Sequence, residues 1–275
     1  MTSRPATGDP RAPLIDIGAN LAHDSFDQDR EAVLDRAAAA GVGHIIVTGS
    51  SRQSSLDAAA LCQRFPGRLS STAGVHPHHA RDWGADDGDW MTDLARRPGV
   101  VAIGECGLDF FRNFSSHEDQ ESAFRAQLEI GATTGLPVFL HQRDAHERFR
   151  PILADYLPSL SRGVAHCFTG SRDELDDYLD MDLYIGVTGW ICDERRGLHL
   201  RELVAAIPHD RLLLETDAPY LMPRDLDPKP SSRRNEPMYL RHIAATVAAC
   251  VGKSLEQLAA ETTANATRFF GLIMD

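Results

Sequence analysis

Short apolar runs alternate with stretches of helical periodicity along nearly the whole chain, and this alternation restricts the fold more than any other feature. Eight runs have the continuous apolar character of buried parallel strands. They are LIDIGA, HIIVTG, LSSTAGVH, VVAIGE, PVFLH, GVAHC, LYIGVTG and RLLLETD. A helix is predicted after each run, the first beginning near Asp24 and the seventh covering Arg196–Ala206, and a last helix is predicted over about 254–270. Eight such units predict an α/β fold of the closed (β/α)8 type, the TIM barrel.

An open doubly wound sheet is the alternative arrangement of the same units. That fold normally carries a glycine-rich phosphate-binding turn after its first strand, and no such turn follows LIDIGA. No linker and no change of rhythm divides the chain, so we expect a single barrel domain over 14–275. Residues 1–13 combine Pro, Gly and charge without an apolar stretch, which predicts a flexible leader rather than a signal peptide.

The composition argues against several classes of protein. No apolar run approaches the length of a membrane span, so we expect no membrane association. The five cysteines are widely spaced and form no CxxC, which argues against a disulfide framework or a zinc ribbon and favours a reducing cytoplasm. A net charge of −12 argues against a surface coated for nucleic acid, although a local basic groove remains compatible with it. The acidic surface without obvious interface patches favours a monomer.

Four polar residues close four of the predicted strands. Glu105, His141, His166 and Asp217 end the fourth, fifth, sixth and eighth runs. The carboxyl ends of barrel strands form one mouth, so we expect these distant residues to meet there. Two imidazoles and two carboxylates are the ligand set of a hydrolytic metal centre. A satisfied polar residue at a strand end is an equally good explanation for one histidine, but a poor one for all four positions.

Each of these four residues has an expected role. Glu105, His141 and His166 would hold a divalent cation, with Asp217 as a further ligand or as the base for a bound water. Magnesium, manganese and zinc all accept mixed histidine and carboxylate ligands. A divalent cation lowers the pKa of its water and so supplies a nucleophile near neutral pH. Asp217 could accept the proton of that water or orient it, so Glu105 and Asp217 are the candidate catalytic carboxylates.

Further polar residues are predicted around the mouth. Glu215 shares a strand face with Asp217 and would be either a carboxylate behind the metal ligands or a barrel-interior group paired with Lys or Arg. Asp16 and Asn20 of the first strand could reach the mouth and serve a second metal. Cys106 and Cys167 each follow a proposed ligand and should point away from it, because successive strand residues face opposite sides.

Other residues are predicted to contact the substrate. His76 closes the third strand and is a candidate contact, whereas His78 and His79 are expected to be solvated loop residues. Arginines in loops near the mouth would suit a polyanion, because the guanidinium group matches phosphate oxygens. They are Arg112, Arg143, Arg233 and Arg234. Ordinary surface charge explains any one of them, but as a group around an acidic metal site they indicate a phosphate-bearing substrate.

Several long motifs resemble the TatD family of metal-dependent deoxyribonucleases. They are GECGLDF, RNFS, HQRDAHERF, HCFTG, GWICDERRG, ETDAPYL and KPSSRRNEP. The resemblance runs from about Leu14 to Phe270, and CDERRG and KPSSRRNEP resemble one branch more closely than its better-known relatives. It implies an amidohydrolase-type barrel that hydrolyses DNA phosphodiester bonds with a divalent cation, often magnesium. For that branch it implies 3′-to-5′ exonuclease action on single-stranded DNA and a part in DNA repair. It places the metal residues at Glu105, His141, His166 and Asp217.

The first strand departs from the pattern of most relatives. They carry His-x-His there, which supplies ligands for a second metal, whereas this chain has Gly18 and Asn20 at those positions. Either one cation suffices, or a second binds weakly through Glu105, Asp217, Asn20 and the substrate phosphate. The second arrangement is favoured during turnover, because two cations clamp both the attacking and the leaving oxygen.

Two other functions remain alternatives on the sequence. A hydrolase of small amides, lactones or phosphoesters usually keeps the first-strand histidines and often a modified lysine, and no lysine ends the fourth strand here. A non-catalytic barrel that only binds metal or nucleic acid is disfavoured by the intact candidate ligands. RNA remains possible beside DNA, because no residue can be assigned to sensing a 2′-hydroxyl.

Overall fold

A computed structural model describes residues 13–273 and has eight parallel strands in one sheet, arranged in sequence order. The strands are β1 (Leu14–Ala19), β2 (Val42–Val47), β3 (Leu69–Ala73), β4 (Val100–Asp109), β5 (Val138–Arg143), β6 (Gly163–Ala165), β7 (Tyr184–Val187) and β8 (Leu212–Leu214). Every run predicted as a strand overlaps one of them. The (β/α)8 barrel is therefore confirmed over the open sheet, while the predicted leader lies outside the described residues except for Pro13.

The sheet closes through the segment that follows β8. Asp217 N donates a hydrogen bond of 2.8 Å to Gly18 O, and Asn20 N donates one of 2.6 Å to Ala218 O. The segment after β8 thus runs beside β1 and forms the hydrogen bonds that close the barrel. This closure places Asp217 directly beside the carboxyl end of the first strand.

Nine α-helices surround the barrel within residues 13–273. They are α1 (Arg30–Ala39), α2 (Arg52–Arg64), α3 (Asp87–Ala95), α4 (His117–Thr134), α5 (His146–Tyr156), α6 (Arg172–Asp180), α7 (Leu198–Leu203), α8 (Leu240–Val251) and α9 (Leu255–Phe270). Ser51, Ser171 and Ser254 each accept a hydrogen bond from the third residue of a helix in a capping box, which fixes where α2, α6 and α9 begin.

Two helices are shorter than the sequence predicts. Asp24–Phe26 forms only a 3₁₀ turn, and α1 begins at Arg30. The seventh helix begins at Leu198 rather than at Arg196, and Gly197 precedes its first turn. A Cβ atom at Gly197 would lie 1.8 Å from Trp190 O. Val204–Ala206, at its other end, tightens into a 3₁₀ turn.

The apolar interior of the barrel is covered at one end by α9. Phe269 and Phe270 pack with inward-facing residues such as Ile17, Phe139 and Leu213. Asn265 Nδ2 on the same helix donates to Leu212 O, at the start of β8, at 3.0 Å. The amino-terminal ends of the strands are thereby covered, and the loops at the carboxyl ends form the mouth. Within residues 13–273, no helix is both long enough and apolar enough to cross a membrane.

Candidate metal centre

Glu105 lies at the centre of three imidazole rings in the barrel mouth. Its Oε1 atom is 2.9 Å from His141 Nδ1, 3.3 Å from His76 Nε2 and 3.4 Å from His166 Nε2. Glu105 and His141 are carried by β4 and β5, whereas His76 and His166 follow β3 and β6. The fold thus brings Glu105, His141 and His166 together, as their positions at strand ends predict, and adds His76 to them.

Asp217 completes the mouth on the side of β8. Its Oδ1 atom accepts a hydrogen bond of 3.1 Å from Asn20 Nδ2. Asp217, His166 and Cys167 each offer a donor atom within 4.8 Å of the others, and His76, Glu105 and His141 form a second such group. Glu105 of one group also contacts His166 of the other, so the two groups of donor atoms lie next to each other.

These residues fit a divalent cation. The Nε2 atom of His141 is buried and has no hydrogen-bond partner within residues 13–273. Asp109 Oδ2 lies 3.6 Å away, which is beyond hydrogen-bond distance. Buried polar atoms in folded proteins nearly always have a partner, so this one calls for an explanation. Imidazole nitrogens and carboxylate oxygens are donors that magnesium, manganese or zinc accept in this combination.

Burial and neighbouring charges set the ionisation of the centre. Burial lowers the pKa of His76 to about 4, against the opposing effect of Glu105. Burial disfavours the charge of Glu105, but the charges of His76 and His166 and the His141 hydrogen bond hold its pKa well below the usual range. Burial raises the pKa of Asp217 to about 7, with His166 opposing and Glu105 and Glu215 adding to the rise. The neighbouring imidazoles therefore favour the charged form of Glu105, whereas burial disfavours the charge of Asp217.

Asp109 is a buried carboxylate of the centre that the sequence reasoning missed. Its Oδ2 atom is 2.8 Å from His78 Nε2, and its Oδ1 atom accepts from Arg112 N at 2.8 Å. Burial opposes its charge, but the nearby His141 ring and the hydrogen bonds from His78 and Arg112 N hold its pKa below the usual range. The signal was the even spacing of four residues between Glu105 and Asp109 in GECGLD, which puts both on one strand face. The prediction of a solvated His78 is wrong, because this contact holds the ring against the centre.

Glu215 holds His166 from behind. The carboxylate is fully buried, its Oε2 atom is 2.6 Å from His166 Nδ1, and its Oε1 atom accepts from Cys167 N at 2.5 Å. Of the two predicted roles for Glu215, the geometry favours a carboxylate that supports a metal ligand over one paired with Lys or Arg. The position of Glu215 also explains why the first strand has Gly18 where most relatives have a histidine. A Cβ atom at Gly18 would lie 2.5 Å from Glu215 Oε2, so Glu215 fills the space that a larger side chain there would need.

Two expectations about orientation are wrong. Asp16 does not reach the mouth: it is fully buried and accepts hydrogen bonds from Thr216 N, Thr216 Oγ1 and Gly18 N. Burial raises its pKa to about 8 despite those donors. Cys167 does not point away, because β6 ends at Ala165 and Cys167 has a left-handed φ of 47° that turns its thiol toward the mouth. Cys106, which remains within a strand, packs in the apolar core as predicted.

The four predicted arginines differ in their contacts. Arg143 stacks on Phe111, with its guanidinium carbon 4.0 Å from the ring centre, and Arg112 and Arg233 are exposed. None of these three has a carboxylate partner among the residues that the structure describes. Arg234 instead bonds to both oxygens of Asp29 at 2.8 Å. This pairing argues against the predicted substrate contact at Arg234, while the other three contacts remain predictions.

The fold and these side chains define a class of protein, the amidohydrolase-type barrels with a metal-binding mouth. The family model described as "TatD related DNase" matches residues 15–271, and the chain belongs to this family. This confirms the resemblance of the motifs.

Relatives and solved structures cover nearly the whole chain. The 3′-5′ ssDNA/RNA exonuclease TatD of Pantoea ananatis is 53% identical over 260 residues, which cover 94% of this chain and 100% of the relative. The protein of the same name from Dickeya dadantii is 56% identical over 257 residues, covering 94% and 97%. The crystal structure of YJJV, a TatD homolog from Escherichia coli, has a TM-score of 0.86 at 28% identity and covers 95% of this chain and 99% of its own.

Proposed function

We propose that this chain is a metal-dependent nuclease that hydrolyses phosphodiester bonds of single-stranded DNA from the 3′ end, with RNA as a further substrate. The observation that carries the proposal is the position of Glu105 Oε1 within 3.4 Å of three imidazoles at the mouth of the barrel. Membership of the TatD family and relatives named as 3′-5′ ssDNA/RNA exonucleases support the choice of substrate.

In this proposal Glu105, His141 and His166 hold the cation, with Asp217 as a further ligand or as the base for its bound water, and magnesium is our first choice over manganese or zinc. The unpartnered Nε2 atom of His141 supports this assignment. His76 lies close enough to Glu105 to serve a second ion, and Asn20 lies beside Asp217 for the same purpose. When bound, a divalent cation neutralises phosphate charge and lowers the pKa of water.

The protein groups orient the reactants and handle the proton. Asn20 Nδ2 holds one oxygen of Asp217 at 3.1 Å, which leaves the other oxygen free to accept a proton from the attacking water. Glu215 fixes the His166 ring so that its Nε2 atom faces Glu105. Arg112, Arg143 and Arg233 are proposed to bind phosphates of the strand, where a guanidinium group can pair with two oxygens.

The remaining assignments concern the whole protein. We propose that 14–275 forms one domain, since all eight strands belong to one sheet. The five free cysteines support a reducing cytoplasm. The net charge of −12 supports a monomer. A part in DNA repair rests on the family resemblance.

The test is cleavage of a 5′-labelled single-stranded oligonucleotide with magnesium, manganese, zinc or a chelator. We expect a ladder that shortens from the 3′ end and disappears with chelator. Glu105→Ala should lower turnover by roughly a thousandfold or more, because an activated water is lost with its ligand. His79→Ala is the matched control, since this exposed histidine lies in the same loop as His76 but outside the centre.

Other outcomes would replace the proposal. Cleavage of a panel of small esters, amides or phosphoesters, with none of oligonucleotides, would favour the small-substrate hydrolase. Binding of single-stranded DNA without cleavage under every cation would favour a non-catalytic role.

A further inference from the structure

The exposed aromatic rings in residues 13–273 gather at the mouth of the barrel. Phe111, Phe114 and Tyr220 are 54%, 55% and 50% exposed, although each is large and apolar. Phe111 and Phe114 follow β4, and Tyr220 follows β8. Exposed apolar side chains that cluster beside a site mark a surface for binding. The proposed activity gives these three rings no role.

One side of the mouth carries an unbroken row of rings. The centre of Phe114 is 4.7 Å from that of His78, which is 4.2 Å from that of His76. His76 in turn lies 4.4 Å from His141. Two imidazoles therefore separate an exposed phenyl ring from a proposed metal ligand, so a group stacked on Phe114 would lie close to the reacting phosphate.

Phe111 adds a second ring to the same side. The guanidinium group of Arg143 covers one face of this ring at 4.0 Å. Arg143 has no carboxylate partner in the described part of the chain, and its charge favours the ring face through a cation–π contact. The pair thus offers a flat surface for a base next to a cation for its phosphate.

Tyr220 stands on the other side. Its backbone N donates to Asp217 O at 2.9 Å, and its ring meets His23 edge-on at 5.8 Å. Burial raises the pKa of Tyr220, with the charges of Asp217, Asp24 and Glu105 adding to the rise. β4 and β8 are four strands apart in a barrel of eight. Tyr220 and the two phenylalanines therefore face each other across the centre.

We propose that Phe111 and Phe114 on one side and Tyr220 on the other form a stacking surface that holds the unpaired bases flanking the cleaved phosphodiester. This inference rests on the proposed nuclease function and deepens it. Every base offers a π face, so such a surface accepts any sequence. Duplex bases are already stacked and paired and cannot enter it. With a net charge of −12, phosphate attraction alone gives this protein little hold on a strand.

The experiment compares two substrates of equal length. One is a 5′-labelled oligothymidylate, and the other carries base-free tetrahydrofuran residues at its 3′ end. Phe114→Ala and Tyr220→Ala should each raise KM for the oligothymidylate about tenfold, with kcat changed less than about twofold. On the base-free strand the wild type and both variants should share one KM. Tyr220→Phe should restore the wild-type value, since it keeps the ring.

Leu198→Ala is the matched control, because Leu198 is 55% exposed and follows β7 but has no ring. An equal rise in KM for this variant, or a penalty that persists on the base-free strand, would overturn the stacking surface. Binding of the two labelled strands to Glu105→Gln in chelator, followed by fluorescence anisotropy, measures stacking without turnover. If the wild type cleaved neither strand, the nuclease proposal would fail. Tighter binding of the strand with bases, lost in Tyr220→Ala, would still support the surface, and equal binding would refute it.

Discussion

Two clusters of charged side chains, one joining α1 to the loop after β8 and one at the carboxyl ends of the strands, are built in opposite ways. The rim network consists of Arg36, Arg234, Asp29 and Glu236. Both of its arginines bond to both of its carboxylates, at distances of 2.8 to 3.0 Å. The metal centre around Glu105 instead combines carboxylates with imidazoles and leaves His141 Nε2 unpartnered within residues 13–273.

The difference teaches how a site can be told from a structural contact. Every charge of the rim network is neutralised by a neighbour, so the network joins the loop after β8 to α1 and has little capacity for a ligand. In the metal centre, carboxylates and imidazole rings face one another, and the buried Nε2 atom of His141 has no hydrogen-bond partner within residues 13–273. Burial makes that arrangement costly unless a cation completes it. A functional side chain is therefore distinguished from a structural one by the partners it has in the fold, rather than by its residue type.

The largest expected effect tests whether the metal centre acts chemically. Asp217→Asn should lower kcat by about a thousandfold, because the amide cannot accept a proton, while cation affinity changes little. Steady-state kinetics and calorimetric titration of the cation measure the two quantities separately. Turnover equal to that of the wild type would remove Asp217 from catalysis. A large loss of cation affinity would make it chiefly a ligand.

A smaller effect is expected at Glu215, which supports the centre without facing its open side. Glu215→Gln should weaken cation affinity by about 10- to 100-fold, because His166 loses the carboxylate that orients its ring. Calorimetric titration gives the affinity, and thermal unfolding confirms that the isosteric variant is folded. Glu174→Gln is the matched control, since this glutamate caps α6 outside the centre. Equal affinities in the two variants would contradict the role of Glu215.

The smallest effect is expected in the rim network, and it should appear in stability rather than turnover. Arg234→Ala should lower the free energy of unfolding by about 1–2 kcal/mol, a modest value because the pairs are partly solvated. Turnover should stay within about twofold of the wild type. Arg233→Ala, the adjacent control, should leave stability unchanged and raise KM a few-fold. If Arg234→Ala lost activity but kept the stability of the wild type, Arg234 would be a substrate contact after all.

The same variant gives a pH dependence with a defined sign. The hydrogen bond of Arg234, opposed by burial and supported by Arg36, lowers the pKa of Asp29 to about 2. A lowered pKa stabilises the fold above the unfolded value of about 3.8, and this contribution disappears as pH falls toward 2. The stability difference between wild type and Arg234→Ala should therefore be full at pH 5 and smaller at pH 3. Urea titrations at both values measure it, and a difference that grows on acidification would refute the pairing.

The sequence by itself determined the fold and the composition of the centre. Apolar runs and serine caps are local signals, so their order predicted eight strand–helix units and hence the barrel. Closure of a barrel gathers the carboxyl ends of its strands, and this rule alone predicts that Glu105, His141, His166 and Asp217 meet at one mouth.

Only the tertiary structure decided which groups meet across strands. Long-range packing brings His78 to Asp109, and it places Glu215 in the space beside Gly18. No local sequence pattern encodes either contact. Asp16 is buried because it precedes Gly18 by two residues in β1 and so lies farther from the mouth of the closed barrel. The thiol of Cys167 faces the mouth because β6 ends two residues before it, at Ala165. Arg234 donates to Asp29, which lies more than two hundred positions earlier in the chain. Residue types and strand ends are properties of the chain, whereas partners and orientations are set by long-range packing.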